Sequence, residues 1–203
     1  MCRHLAYLGP PVRLRSLLVD APHGLVEQAR RPRLQTSGHA NPDGYGVAWY
    51  EPDGGAPRRH RSATPIWADP ELPSLAEHVD ATAVLAAVRL ASPGSPVEET
   101  GNAPFVAEEF AWSLNGVVDG WHNGVGEELR RRISPGRAAG IAGVTDGRHL
   151  VATAYGNSLF TRADDQSVTV ASEPLDDDPG WTRVPDRSFL TAEARHGVTT
   201  SPL

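Results

Sequence analysis

The sequence predicts an α+β layered domain, and three observations carry that prediction. Apolar residues at helical spacing are confined to the first half of the chain. A continuous apolar run, Ala83–Leu90, reads as a strand buried on both faces. The second half is a series of short β-rich segments separated by turn residues. Helices before strands, followed by a strand meander, point to layers packed on one core. With 203 residues and 39% hydrophobic content, the chain suits a single domain over residues 1–203. Its 20 Gly and 18 Pro are scattered rather than clustered, so turns are frequent but no linker stands out.

Taken in order, Cys2–Gly9 reads as a short buried strand. Leu14–Val19 and Leu25–Arg30 carry apolar residues at helical spacing, with Pro22 between them. Gly44–Glu51 is aromatic and β-branched, a strand, and Arg58–Ser62 is its hairpin partner across Asp53-Gly54-Gly55. Asp69–Val79 resembles a helix with an Asp cap and Pro at its first positions. After the Ala83–Leu90 strand comes Glu109–Leu114, which stops at Asn115-Gly116. Ala138–Val144 and His149–Tyr155 flank a turn signal at Thr145-Asp146-Gly147-Arg148. Ser158–Arg162, Ser167–Ser172 and Ser188–Ala194 continue the strand series.

Composition excludes several classes. A single cysteine cannot form an internal disulfide or a Cys-Cys metal clamp. The net charge of −6 argues against a general nucleic-acid binder, which is normally basic. No run of apolar residues is long enough for a transmembrane helix, and the N-terminus lacks the apolar core of a signal peptide. A soluble cytoplasmic protein is the expectation. All 19 basic residues are Arg, so Lys is removed as a nucleophile or Schiff-base former. The eight His show no paired helical spacing of zinc-ligand type, so no metal or other cofactor is expected. The runs Arg130-Arg131-Arg132 and Arg58-Arg59-His60-Arg61 read as solvated faces. Asp176-Asp177-Asp178 with Trp181 reads as a turn before Pro179-Gly180, or else as a seat for a cationic trimethylammonium group.

The chemistry centres on Cys2. Removal of Met1 makes it the first residue, with a free α-amine whose pKa is near ~7.7–8.0 and which is therefore partly neutral near pH 7. Thiol nucleophile and amine base then belong to one residue. A thiol attacking a carbonyl also needs donors where the oxygen gains charge. The Asn115 side-chain amide and the Gly116 backbone N–H offer two, although Asn-Gly serves equally well as a hairpin turn. Arg89 ends a buried strand and needs a partner, either a structural acid or a substrate carboxylate gripped in bidentate fashion. Ser92 adds a hydroxyl three residues on.

Together these residues resemble the class II glutamine amidotransferases of the N-terminal-nucleophile (Ntn) hydrolase superfamily. The resemblance rests on Met1-Cys2-Arg3-His4, Asn41-Pro42-Asp43-Gly44-Tyr45-Gly46-Val47, Val88-Arg89-Leu90-Ala91-Ser92-Pro93-Gly94, Asn102-Ala103-Pro104-Phe105 and Ser113-Leu114-Asn115-Gly116, in that order. Within that family the chain is most similar to the γ-glutamyl amidohydrolases of actinobacterial ergothioneine biosynthesis. That likeness is carried by Arg61–Trp67, Ala171–Trp181 and Val184-Pro185-Asp186-Arg187.

The resemblance implies an αββα sandwich of two mainly antiparallel sheets flanked by helices. It implies hydrolysis of γ-glutamyl-hercynylcysteine sulfoxide, with no cofactor, nucleic acid or membrane involved. Cys2 would be nucleophile and α-amine base, Asn115 and Gly116 the oxyanion hole. Arg89 would clamp the glutamyl α-carboxylate, with Ser92 in the place of a family threonine. The chain ends without a synthetase domain to receive ammonia, which favours hydrolysis over transfer.

Two departures stand out. The stretch Gly116–Arg137 is short, giving a reduced helical layer, and it lacks the family's acid for the substrate α-ammonium; Asp119, Glu127 and Glu128 do not align to that role. Leu114 replaces the usual His. A glutaminase subunit feeding a separate synthetase, and a non-catalytic binding homologue, are the alternatives that fit the same residues. The sequence leaves the oligomeric state open.

Overall fold

The structure, a computed structural model, describes residues 2–115 and 142–203. Along the chain run β1 (Arg3–Arg13), a π-helical turn (Ser16–Asp20), α1 (Leu25–Arg30), β2 (Tyr45–Tyr50), β3 (Arg58–Ser62), α2 (Leu72–His78) and β4 (Asp80–Val88). Then come a 3-10 turn (Glu99–Gly101), β5 (Phe105–Ala107), β6 (Phe110–Leu114), β7 (Ala142–Thr145) and β8 (His149–Ala154). The series closes with β9 (Phe160–Ala163), β10 (Val168–Ala171), β11 (Thr182–Arg183), β12 (Ser188–Glu193) and β13 (Gly197–Pro202).

These strands form two sheets, ordered β11-β9-β10-β1-β4-β2-β3 and β13-β12-β8-β7-β6-β5. The pairings within both are antiparallel. The α+β sandwich of Ntn type expected from the sequence is what forms. Strand β4 shows why its sequence lost the period-two alternation. It lies between β1 and β2 in the middle of the larger sheet, and Ala83–Val88 are buried without a break. One face meets the other sheet and the opposite face meets the helices, so neither needs polar side chains.

The layer between the sheets is built from small and medium residues. Ala6, Leu8, Ala48, Tyr50, Ala83 and Leu85 of the larger sheet share a cluster with Ala111, Leu150, Ala152, Ala154, Leu190 and Ala192 of the smaller one. The Tyr50 hydroxyl crosses this layer and lies 2.7 Å from the carbonyls of both Glu109 and Thr145, so its one proton always has an acceptor. On the outer face of the larger sheet, Leu5, Tyr7, Val47, Trp49, Val84 and Val88 pack with Leu18, Leu25, Ala29, Leu72 and Ala76. Each fully buried aliphatic side chain of this kind contributes about 1.5–3 kcal/mol.

Four elements differ from expectation for local reasons. Helix α2 starts at Leu72, and Asp69 does not cap it; the Asp69 Oδ1 instead accepts the Glu71 N–H at 2.9 Å in a turn before the helix. Strands β5, β11 and β13 went unpredicted because they are three residues, two residues and largely exposed, respectively, and carry little hydrophobic pattern. The Arg58–Ser62 strand pairs with β2 as expected. Its Arg run is nevertheless not a uniformly solvated face, since Arg61 is only 11% exposed at its side chain and donates to the Thr100 and Asn102 carbonyls. Alternation along a strand puts every second residue inward, whatever its charge. The reduced helical layer after Gly116 and the Arg130-Arg131-Arg132 run lie outside the described residues.

Candidate active site

The candidate nucleophile sits at the entry to β1, which is flanked by β10 and β4 in the larger sheet. Asn115 sits at the exit of β6 in the smaller sheet. The two sheets therefore deliver one residue each to the same end of the sandwich. The contact is reciprocal: the Cys2 N–H donates to Asn115 Oδ1 at 3.1 Å, and Asn115 Nδ2 donates to the Cys2 carbonyl at 3.0 Å. Both bonds together fix which end of the amide is which. They place the Asn115 amide on the backbone of the candidate nucleophile. Strand β6 itself pairs with β5 and β7. Among the described residues the second Asn115 Nδ2 hydrogen has no acceptor. Gly116, the other expected donor, lies outside the described residues.

The Cys2 thiol is partly buried, and its polar contact is a long one to the Leu90 carbonyl at 4.0 Å. Leu90 belongs to the segment that leaves β4, and this segment is held tightly. The Arg89 N–H donates to the Gly44 carbonyl at 2.9 Å, the Asp43 N–H to the Arg89 carbonyl at 3.0 Å, and the Ala91 N–H to Asp43 Oδ2 at 2.8 Å. Gly44 is required here. Its φ is +101°, and a Cβ would collide with Asn102 Nδ2 and the Ser62 carbonyl.

Among the described residues Arg89 meets no carboxylate. Its Nη1 donates to the Pro96 carbonyl at 3.0 Å, and its guanidinium lies against Gly101, where a Cβ would stand 3.1–3.3 Å from it. Among the described residues most of its five donors are uncommitted. Ser92 stands in an exposed turn, its carbonyl accepting the Ser95 N–H, and its hydroxyl meets neither Cys2 nor Arg89. The structure thus brings together Cys2, Asn115 and the Arg89–Leu90 segment, and leaves Ser92 to one side.

Three neighbours of the nucleophile were given no role by sequence reasoning. Arg3 is fully buried, donates from Nε to the Cys2 carbonyl at 2.9 Å, and pairs through Nη1 with buried Glu173 Oε1 at 3.1 Å. His4 meets the Ser113 hydroxyl at 2.6 Å across the sheet interface. Their signal was present as adjacency to Cys2 and to Asn115, but a buried charge pair has no periodicity to announce it. The Asp176–Asp178 run, by contrast, is a turn. Asp176 Oδ1 accepts from Trp181 Nε1 at 2.7 Å and from the Asp178 N–H at 3.1 Å, and Oδ2 accepts from Arg162 at 2.9 Å. Three donors, one of them the Arg162 guanidinium, thus engage its carboxylate.

Burial, reinforced by the Arg3 charge, pushes His4 down to a pKa of about 3, so it is neutral wherever the enzyme works. The unfolded chain takes up this proton near ~6.5. Below that pH the unfolded state binds a proton that the folded state refuses, and stability drains as pH falls toward 3, by about 1 kcal/mol per pH unit. Thermal unfolding midpoints are therefore expected to fall between pH 6.5 and 4.5, and His4→Asn should flatten that slope. An unchanged slope in the variant would assign the acid sensitivity to other groups.

Comparison with known proteins identifies the fold first. A solved glutamine aminotransferase class-II domain protein from Silicibacter pomeroyi superposes with a TM-score of 0.64 at 20% identity, covering 99% of both chains. The fold is therefore that of an Ntn-type class II glutamine amidotransferase domain. Curated relatives then narrow it. The γ-glutamyl-hercynylcysteine sulfoxide hydrolase of Mycolicibacterium smegmatis is 35% identical over 226 residues, covering 98% of this chain and 99% of the relative. A Mycobacterium tuberculosis protein of the same name is 37% identical over 231 residues, covering 100% and 97%. The chain belongs to this hydrolase family. Both relatives are longer than its 203 residues. No protein-family model matches the chain.

Proposed function

We propose that this protein hydrolyses the γ-glutamyl amide of γ-glutamyl-hercynylcysteine sulfoxide, giving glutamate and hercynylcysteine sulfoxide. The observation that carries the reading is the double hydrogen bond between Cys2 and Asn115, which sets a thiol beside an amide donor. The full-length likeness to hydrolases of that name supplies the substrate.

In the proposed reaction Met1 is removed and the Cys2 α-amine, directly or through water, takes the thiol proton. The thiolate attacks the γ-carbonyl carbon, and the oxygen gains charge next to the spare Asn115 Nδ2 hydrogen, with the Gly116 N–H as second donor. The ammonium returns its proton to the leaving nitrogen as the C–N bond breaks, leaving a γ-glutamyl thioester on Cys2. Water, deprotonated by the same amine, attacks the thioester and releases glutamate, and the proton returns to the sulfur. Arg89 holds the glutamyl α-carboxylate throughout. Ser92 is retained only as a contact to the arriving substrate.

Intact mass tests the first step, since an active preparation that retains Met1 contradicts amine catalysis. Kinetics test the clamp. Arg89→Met is expected to raise KM by about 10- to 100-fold, the worth of a charge-assisted bidentate contact, while kcat falls much less. A drop in kcat at constant KM would place Arg89 elsewhere in the mechanism.

A further inference from the structure

The Arg3–Glu173 pair is the most costly polar feature near the site. Arg3 and Glu173 are both fully buried. Taking two charges out of water is paid back only with excellent geometry, and an apolar pair of similar size is often as stable or more so. Stability alone is therefore a weak reason to place an ion pair directly behind a nucleophile.

Its geometry gives a better one. Side chains alternate along β1, so Arg3 follows Leu5 and Tyr7 toward the helical layer. From there its Nε reaches back to the carbonyl of the preceding residue, Cys2. That oxygen receives Arg3 Nε at 2.9 Å and Asn115 Nδ2 at 3.0 Å, which occupies both lone pairs. The Cys2 nitrogen is held by Asn115 Oδ1. The backbone of the nucleophile is thus fixed at both ends, and only the thiol is left to move.

Glu173 is itself anchored. Its Oε2 accepts the Arg33 N–H at 2.7 Å, and its Oε1 accepts the Leu34 N–H at 3.0 Å as well as Arg3. Burial pushes the Arg3 guanidinium below its usual range, while Glu173 and, to a smaller extent, the Cys2 thiolate pull it back up. The Arg3 guanidinium, bonded to the Cys2 carbonyl at 2.9 Å, sets a positive charge against the residue that carries the thiol. Among the described residues the other ionisable groups around the thiol are the Cys2 α-amine once Met1 is removed, His4, neutral near pH 7, Asp43, engaged by the Ala91 N–H, and Arg89 beside Leu90.

We propose that Arg3 is a positioning residue for Cys2, fixing its carbonyl and supplying a cation behind its thiol, and that Glu173 holds Arg3 in place and limits that charge. This rests on Cys2 being the nucleophile. The predicted signs are opposite. Removing the Arg3 cation makes the thiolate harder to form, whereas removing the Glu173 charge leaves the cation uncompensated and makes it easier.

The lone cysteine provides a readout that needs no substrate, because iodoacetamide alkylation followed by mass reports on Cys2 only. The pH midpoint of alkylation is expected to move up by about one unit in Arg3→Met/Glu173→Gln, and down in Glu173→Gln. The double variant removes both buried charges together and keeps an acceptor for the Arg33 and Leu34 N–H groups. Arg3→Lys keeps the charge but not the Nε contact. Its kcat for glutamate release is expected to fall about 10- to 100-fold with KM nearly unchanged, the cost of a small misplacement. Wild-type alkylation midpoints in the double variant, midpoints moving in one direction in both Glu173 variants, or wild-type kcat in Arg3→Lys would overturn the proposal. So would loss of folded protein in all three, which would make the pair a scaffold of the fold. If the wild-type protein releases no glutamate, the substrate reading fails while the alkylation shifts still report on Arg3.

Discussion

Cys2→Ala is expected to lower glutamate release by about ten-thousandfold or more, to the level of the uncatalysed reaction. The substitution removes the atom that carries the acyl group, so no other residue can complete the route. With 19 basic residues that are all Arg and no second Cys, the chain offers no lysine or thiol to take over. Stability should barely change. The side chain is partly buried, and among the described residues its thiol makes only the 4.0 Å contact to the Leu90 carbonyl, whereas the two bonds to Asn115 use backbone atoms that alanine retains. Kinetics on the folded variant, with thermal unfolding as control, check this. Substantial activity in Cys2→Ala would end the thiol mechanism.

Asn115→Asp carries the second largest expected effect, a fall in kcat of about 100- to 1,000-fold. The change is nearly isosteric, so the Cys2 N–H keeps an acceptor. The donor is lost on two counts: Asn115 Nδ2 no longer serves the Cys2 carbonyl at 3.0 Å, and no hydrogen is left for the oxyanion. A carboxylate also faces the carbonyl oxygen and repels both the thiolate and the charge developing on the substrate. The loss should appear in kcat and kcat/KM together, as for an interaction made mainly in the transition state. If KM alone rises, Asn115 is a substrate contact and the oxyanion site lies elsewhere.

The pattern of what could be read from sequence has a physical origin. Strand β4 and helix α1 were legible because burial on two faces, or on one face of a helix, leaves a simple periodic trace in residue type. Cys2 was legible because position 2 has chemical meaning once Met1 leaves, and Arg89 because a charge closing an apolar run needs an explanation. Asn115 was half legible. The residues offered a turn or a donor, and only the fold brings the Asn115 amide to the Cys2 backbone. The turn at Asp176–Asp178 was also undecided, because a turn and a cation site use the same residues until the carboxylate's partners are seen. Arg3 and Glu173 escaped because they stand 170 positions apart and only the fold makes them neighbours. Three-residue strands such as β5 escaped because so short a segment has no period at all.

The central claim is that Cys2 opens a γ-glutamyl amide whose leaving group is the hercynylcysteine sulfoxide amine. Glutamate release by the purified protein, measured side by side on γ-glutamyl-hercynylcysteine sulfoxide and on glutamine, tests it most directly. The prediction is release from the conjugate by the isolated protein, with a kcat/KM well above that for glutamine. Release from glutamine only when a partner synthetase is added, or from neither substrate by a correctly folded protein with Met1 removed, would contradict it.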